Sequence, residues 1–450
     1  MPGRNARHRL ILASPSGAAS NRRRCARGRT GSVDREKLEQ NPMIQRYRVL
    51  GRSVAEGDEL QPLLAKAYAQ KAQVLCECRK GTDLPLYISH RNDRYVLARW
   101  PGSGARHATA CDHYEAPDYL TGMGQVRGAA IIDDETSGET SLKLGFPLSR
   151  GSARLAPAAI TNDKPTVKSS GQKLSMRGLL HVLWDRAELT HWHPKMAGKR
   201  SWFVVRRALL EAAASCRAKQ EALPHVLFVP ESFKLEEKED IRARRRTALE
   251  RVYRSRDEMM VVVGEIKEIV SAHGAERIVL RHVGDMPFVM DTDMARRFHK
   301  RFAGELALWQ AQHGSKAEQD HLVIAGSFAR RREGTFDLIE VALMPVTPEW
   351  LPYETSDERY LIAKAVAEKR RFVKGLRVNL DVDMPIASLV LKDTGEEACA
   401  VHIHDRDNEV AEPLEALLAG QGVAHRFWKE GEPLPARVTR QRRWEAQAAA

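Results

Sequence analysis

The stretch from Cys76 to His113 constrains the fold of this chain most. Cys76-Glu77-Cys78 opens it, and His107, Cys111 and His113 close it, so three of the six cysteines of the 450-residue sequence gather here. Between the two ends, residues 86–90 and 95–99 alternate apolar and polar positions around Arg91-Asn92-Asp93-Arg94. Alternation of period two about an Asn-Asp turn is a hairpin signal. A hairpin folds the chain back on itself, which brings Cys78 beside His107.

Cysteines and histidines so placed have the makings of a tetrahedral metal site. Zinc in a structural role takes four nitrogen or sulfur ligands, and it holds thiolates because it displaces the thiol proton. A Cys-x-Cys pair can chelate from one turn, and His107 and Cys111, three residues between them, can do so from a loop or a helical turn. The expected ligands are Cys76, Cys78, His107 and Cys111. His113 is the rival fourth ligand; the order Cys-x-Cys…Cys-x-His is similar to the SWIM-type zinc finger, although 32 residues before Cys111 is long for it. Competing readings are three half-buried cysteines near an exposed histidine, or a catalytic thiol. A structural zinc would contribute on the order of 10 kcal/mol, enough to hold a small hairpin module that could not fold alone.

Length predicts two to four domains. No apolar run approaches the roughly 20 residues of a membrane span, and residues 10–13 are too short for the core of a secretory signal. The expected setting is a reducing cytoplasm, in which clustered Cys and His are metal ligands and not bridges. Cys25, Cys216 and Cys399 stand apart and read as small buried residues. Net charge is +13, and residues 1–42, with ten Lys plus Arg against three Asp plus Glu, hold seven of those charges. A polyanion such as DNA is a reasonable partner; a solvated basic surface is the plain alternative.

The fold class expected is α+β and multidomain. Residues 1–42 read as a disordered basic extension, with Met43 a candidate start. Residues 43–148 form the zinc-hairpin module, 149–173 a linker and 174–222 a helical pair. Residues 223–352 read as a mixed α/β domain, 353–435 as a C-terminal αββαβ unit whose first helix covers 357–374, and 436–450 as a loose tail.

Within the helical pair Ser201 is the expected N-cap. Lys199, Arg200, Arg206 and Arg207 lie on or before the second helix and could meet phosphates as a helix-turn-helix does, or form a charged solvated face. His191 and His193, before a proline, suggest a structured turn. Glu265 and Lys267 share a strand face and suggest an ion pair. The C-terminal unit is similar to the core of restriction-endonuclease-like nucleases, whose two acids and lysine gather around Mg²⁺. No acid follows the proline of Asp383-Met384-Pro385-Ile386, and no lysine follows the next strand at the required spacing. His402, His404, Asp405 and Asp407 read as a polar strand edge. No Walker A, dinucleotide fingerprint, GxSxG or HExxH occurs, so nucleotide-hydrolysing, hydride-transfer and ordinary hydrolase chemistry have no positive support.

Several runs carry a family resemblance. Cys76-Glu77-Cys78-Arg79, His107 with Cys111, Tyr114-Glu115 and Pro117, and Leu120-Thr121-Gly122-Met123-Gly124 are the first group. Residues 142–149, 179–184 and 264–269 add to it. Together they resemble an uncharacterised bacterial family of unknown function, numbered eleven seventy-three, over residues 43–435. The resemblance favours His107 over His113, and Ala116 departs from the family's second proline. It implies a setting on plasmids and integrating conjugative elements, and no reaction. The function expected is a zinc-stabilised, nucleic-acid-binding or processing accessory. A metal-dependent nuclease and a protein–protein adaptor are the alternatives.

Overall fold

The computed structural model describes residues 45–438 apart from 92–93, 101, 135–137, 151–170, 273–274, 312–318, 333, 381–385, 404–414, 416–417 and 421–422. The expected extension 1–42, most of the 149–173 linker, Cys25, Asp383, His404, Asp405 and Asp407 lie outside the described residues. Those described form an α+β fold with four β-sheets.

The first sheet is ordered β2-β1-β3-β4-β5. It comprises β1 (Arg46–Val49), β2 (Arg52–Ala55), β3 (Val74–Cys76), β4 (Pro85–Arg91) and β5 (Arg94–Arg99). Leu50 and Gly51 join β1 to β2 with φ of 49° and 77°. Two left-handed residues in a two-residue turn match the right-handed twist of the strands they join. The expected hairpin is present, with Leu86 opposite Arg99 and His90 opposite Tyr95. Across the sheet lies the helix Leu60–Ala69, which buries Leu60, Leu64 and Ala67 at helical spacing.

A six-stranded sheet is built on Met259–Ala272, which lies between Ala275–Leu280 and His321–Arg332, both antiparallel to it. Its apolar run is nearly continuous because both faces are covered. Val261, Val263, Val323 and Ala325 join a core with Leu179, Leu183, Val205 and Leu209, from the helices Met176–Arg186 and Trp202–Ala214. Met260, Val262, Ile324 and Phe328 face a second core with Met294 and Phe298 from the helix Thr292–Arg301. The first of these cores draws on residues from Met123 to Val378.

The expected Glu265–Lys267 pair does not form. A bulge between Ile266 and Glu268 breaks the period of two. Glu265 turns inward to His321 and Arg281, while Lys267 stays outside with Glu268.

The last sheet runs His425–Trp428, Cys399–Ile403, Leu389–Leu391, Phe372–Lys374, His191–Trp192. The helix expected over 357–374 is Ser356–Ala367. It ends where Lys369 takes φ 55° and Arg370 N–H returns to the Ala365 carbonyl, a left-handed helix stop. Phe372–Lys374 then pairs with Leu389–Leu391 and, on its other edge, with His191–Trp192. His191 is thus in a strand. His193 begins a turn, its Nδ1 accepting from Lys195 N–H at 3.0 Å.

His402 is no polar edge: it is buried, with Nδ1 3.0 Å from the Ile386 carbonyl. The described positions of strands Leu389–Leu391 and Cys399–Ile403 carry no carboxylate. Ser201 occupies the N-cap position of its helix, but its side chain makes no capping hydrogen bond.

Candidate metal centre

Cys76 is the last residue of β3, opposite Tyr47 of β1, and its N–H donates to the Leu84 carbonyl at 2.8 Å. Glu77 N–H donates to the Arg46 carbonyl at 3.0 Å, which fixes the turn carrying Cys78. His107 caps the short 3-10 turn Gly104–Arg106 in extended backbone. Gly104 is demanded by close approach, since a Cβ there would strike Glu115. Cys111 N–H donates to Ala108 O at 2.8 Å.

These two local turns bring four donors together. One atom each from Cys76, Cys78, His107 and Cys111 lies within 4.8 Å of all the others. The Sγ atoms of Cys76 and Cys111 are 3.7 Å apart. His107 Nδ1 lies 3.5 Å from Cys78 Sγ and 3.7 Å from Cys111 Sγ. Cys76, His107 and Cys111 are buried and Cys78 is half-buried.

The surroundings suit negative sulfur. Gln45 directs its side-chain amide to Cys76 Sγ at 3.1 Å and Cys111 Sγ at 3.0 Å. Ala108 N–H donates to Cys78 Sγ at 3.3 Å, and His113 N–H to Cys111 Sγ at 3.4 Å. Hydrogen bonds from Cys111 and Cys76 hold the Cys78 thiol well below its ordinary range, against the opposing pull of burial. Its contacts with Cys111 and Cys78, together with burial, push Cys76 far above the ordinary range. Cys111 rises to about 11: its contact with Cys76 lowers it, and the Cys78 contact and burial outweigh that.

His113 has another task. Its Nε2 sits 3.2 Å from the Tyr47 hydroxyl, and burial, with His107 close by, pushes its imidazole down to about 4. It supports the cluster through its backbone N–H.

The loop carrying His107 and Cys111 is clasped by the last sheet and its turns. Lys392 Nζ reaches Cys111 O at 3.3 Å, Arg371 reaches Ala110 O at 3.1 Å, and Thr109 reaches Gly395 O at 3.1 Å. Arg99 of β5 binds Glu115 at 3.1 Å, which Arg127 also approaches at 3.7 Å. The cysteine spacing announces the cluster, but nothing in it announces Gln45, Lys392 or Thr109. Only tertiary contact brings those three to the site.

The four expected basic residues are placed differently from one another. Arg200 is half-buried and donates to the carbonyls of Leu189 at 2.9 Å and Glu349 at 3.3 Å, and to that of His191. Burial lowers its guanidinium to about 10. Arg206 donates to Val229 O at 3.1 Å. Lys199 is exposed, and Arg207 lies 3.7 Å from Glu211 on its own helix.

Fold and site together define an α+β protein with a cluster of three cysteines and a histidine that could hold a metal ion. The family model described as "Protein of unknown function (DUF1173)" matches residues 47–431, and the chain belongs to that family. No curated protein and no solved structure matches it. Among the described residues, no helix is long and apolar enough to cross a membrane.

Proposed function

We propose that the cluster is a structural zinc site and that the protein is a non-catalytic, nucleic-acid-binding accessory of a mobile element. The observation carrying the zinc reading is the spacing of the donors. Zinc–sulfur bonds of about 2.3 Å and zinc–nitrogen bonds of about 2.0–2.1 Å on tetrahedral axes separate two sulfurs by about 3.7 Å and a sulfur from a nitrogen by about 3.5 Å. The distances of 3.7 Å for Cys76–Cys111 and 3.5 Å for Cys78–His107 fit that figure. Soft thiolates with an imidazole favour zinc over magnesium or calcium. Four protein ligands leave no open position for water, so the metal's contribution is to cross-link β3 to the 107–111 loop.

The nucleic-acid part of the reading is supported by the net charge of +13, by exposed Lys199 and by Arg207 on the open face of its helix. Phosphate binding releases counterions, so it must weaken steeply with salt. An electrophoretic shift of double- and single-stranded DNA across a salt series tests it. A steep loss of binding, reduced further in Lys199→Gln/Arg207→Gln, supports the proposal. No shift at low salt would leave the adaptor reading in its place.

A further inference from the structure

A pocket of about 460 Å³ opens at one end of the six-stranded sheet, lined by Trp202, Glu265, Arg281, His282, His321 and Trp350 among others. It is separate from the metal cluster, and its residues come from different parts of the chain. Glu265 and His321 lie on adjacent antiparallel strands, two positions out of register. Glu265 is buried, and its Oε1 accepts from Arg281 Nε at 2.6 Å and lies 2.9 Å from His321 Nδ1. A carboxylate at Nδ1 fixes the tautomer and leaves Nε2 free for proton exchange, the arrangement that orients a catalytic base. The His321 ring is also clamped, lying on Trp350 with centroids 4.1 Å apart and planes at 12°. Trp350 itself is held at φ 62°, a backbone conformation rarely tolerated by a bulky side chain. That conformation belongs to the turn in which Trp350 N–H donates to Thr347 O at 2.8 Å and Thr347 N–H to Leu351 O at 2.9 Å.

Arg281 and His282 supply donors to a lining that also includes Ser201 and Gln319. With Nε committed to Glu265, both Nη groups of Arg281 have no partner among the described residues, and the side chain is 46% exposed. His282 Nδ1 accepts from Phe233 N–H at 3.4 Å. Burial lowers the His282 imidazole, so the neutral ring carries its proton on Nε2, a buried atom with no hydrogen-bond partner. Paired guanidinium N–H groups suit phosphate oxygens.

We propose that this pocket binds a phosphate monoester, gripped by Arg281 and His282 Nε2, with His321 Nε2 exchanging a proton with it and Glu265 positioning His321. The volume is ample for an ester with an organic body.

The test titrates the full chain with phenyl phosphate, inorganic phosphate and benzoate, reading tryptophan fluorescence and the imidazole nitrogen signals of His282 and His321. The expected result is saturable binding of phenyl phosphate, at least tenfold tighter than benzoate, with both histidines shifting. Arg281→Gln, checked for folding by circular dichroism, should weaken it at least tenfold; His321→Asn serves if that variant does not fold. No saturable change at millimolar phenyl phosphate, or equal affinity in folded Arg281→Gln or His321→Asn, would overturn the proposal. Tighter binding of benzoate would overturn the phosphate assignment.

Discussion

Cys76 and Cys111, 35 residues apart in the chain, hold their sulfurs 3.7 Å apart at the end of β3, the central strand of the first sheet. Two buried thiols at that distance repel one another as thiolates unless a cation or several donors lie between them. Gln45 supplies part of that compensation by bonding both.

Gln45→Ala should therefore weaken metal retention without removing a ligand. Groups that support a ligand from behind typically change affinity by about 10–100-fold when removed. A chelator competition on wild type and variant reads this directly, and about tenfold weaker retention is expected. Equal retention would mean that the two N–H···S contacts have no role in holding the ion.

Lys374 and Glu358 form a buried pair at 3.0 Å, with Lys374 also donating to Gly375 O at 2.6 Å and Glu358 accepting Glu354 N–H at 2.8 Å. They tie the helix Ser356–Ala367 to the last sheet. Removing one partner leaves the other charge buried and uncompensated, which costs about 3–5 kcal/mol. Lys374→Met should show that loss in urea denaturation, and Lys374→Met with Glu358→Gln should recover most of it. Equal losses in the single and double variants would contradict the pairing.

His181 and His402 are buried, and burial lowers their imidazoles to about 3 and about 4. Their unfolded value is about 6.5. As pH falls below that value, the unfolded chain takes up protons that the folded chain refuses. Stability is then lost between about 6.5 and the folded values. Asp185, raised to about 7 mainly by burial, acts in the opposite direction. Variants separate the two effects. His181→Gln, whose amide can still reach the Arg377 carbonyl, and His402→Gln should each flatten the acid limb of stability against pH. An unchanged slope would contradict the assignment.

The cysteine–histidine cluster and the hairpin were legible because both are local: Cys-x-Cys, His107 with Cys111, and two alternating arms with a polar turn. The paired strands His321–Arg332 and Thr335–Val346 were legible for the same reason. What escaped is what neighbours decide. Phe372–Lys374 lies in a stretch assigned to a helix, because its partners at 191–192 and 389–391 are distant in sequence. Glu265 looked like the partner of Lys267 because a bulge cannot be seen in a period of two. His402 looked polar because its acceptor is the carbonyl of Ile386.

The proposed single ion held by Cys76, Cys78, His107 and Cys111 is tested most directly by X-ray absorption at the zinc edge with elemental analysis. The expected result is about one zinc per chain, with about three sulfurs near 2.3 Å and one nitrogen near 2.0–2.1 Å, and loss of the metal in Cys76→Ser and Cys111→Ser. A folded wild-type protein purified without metal, or zinc in a shell of nitrogen and oxygen alone, would contradict it.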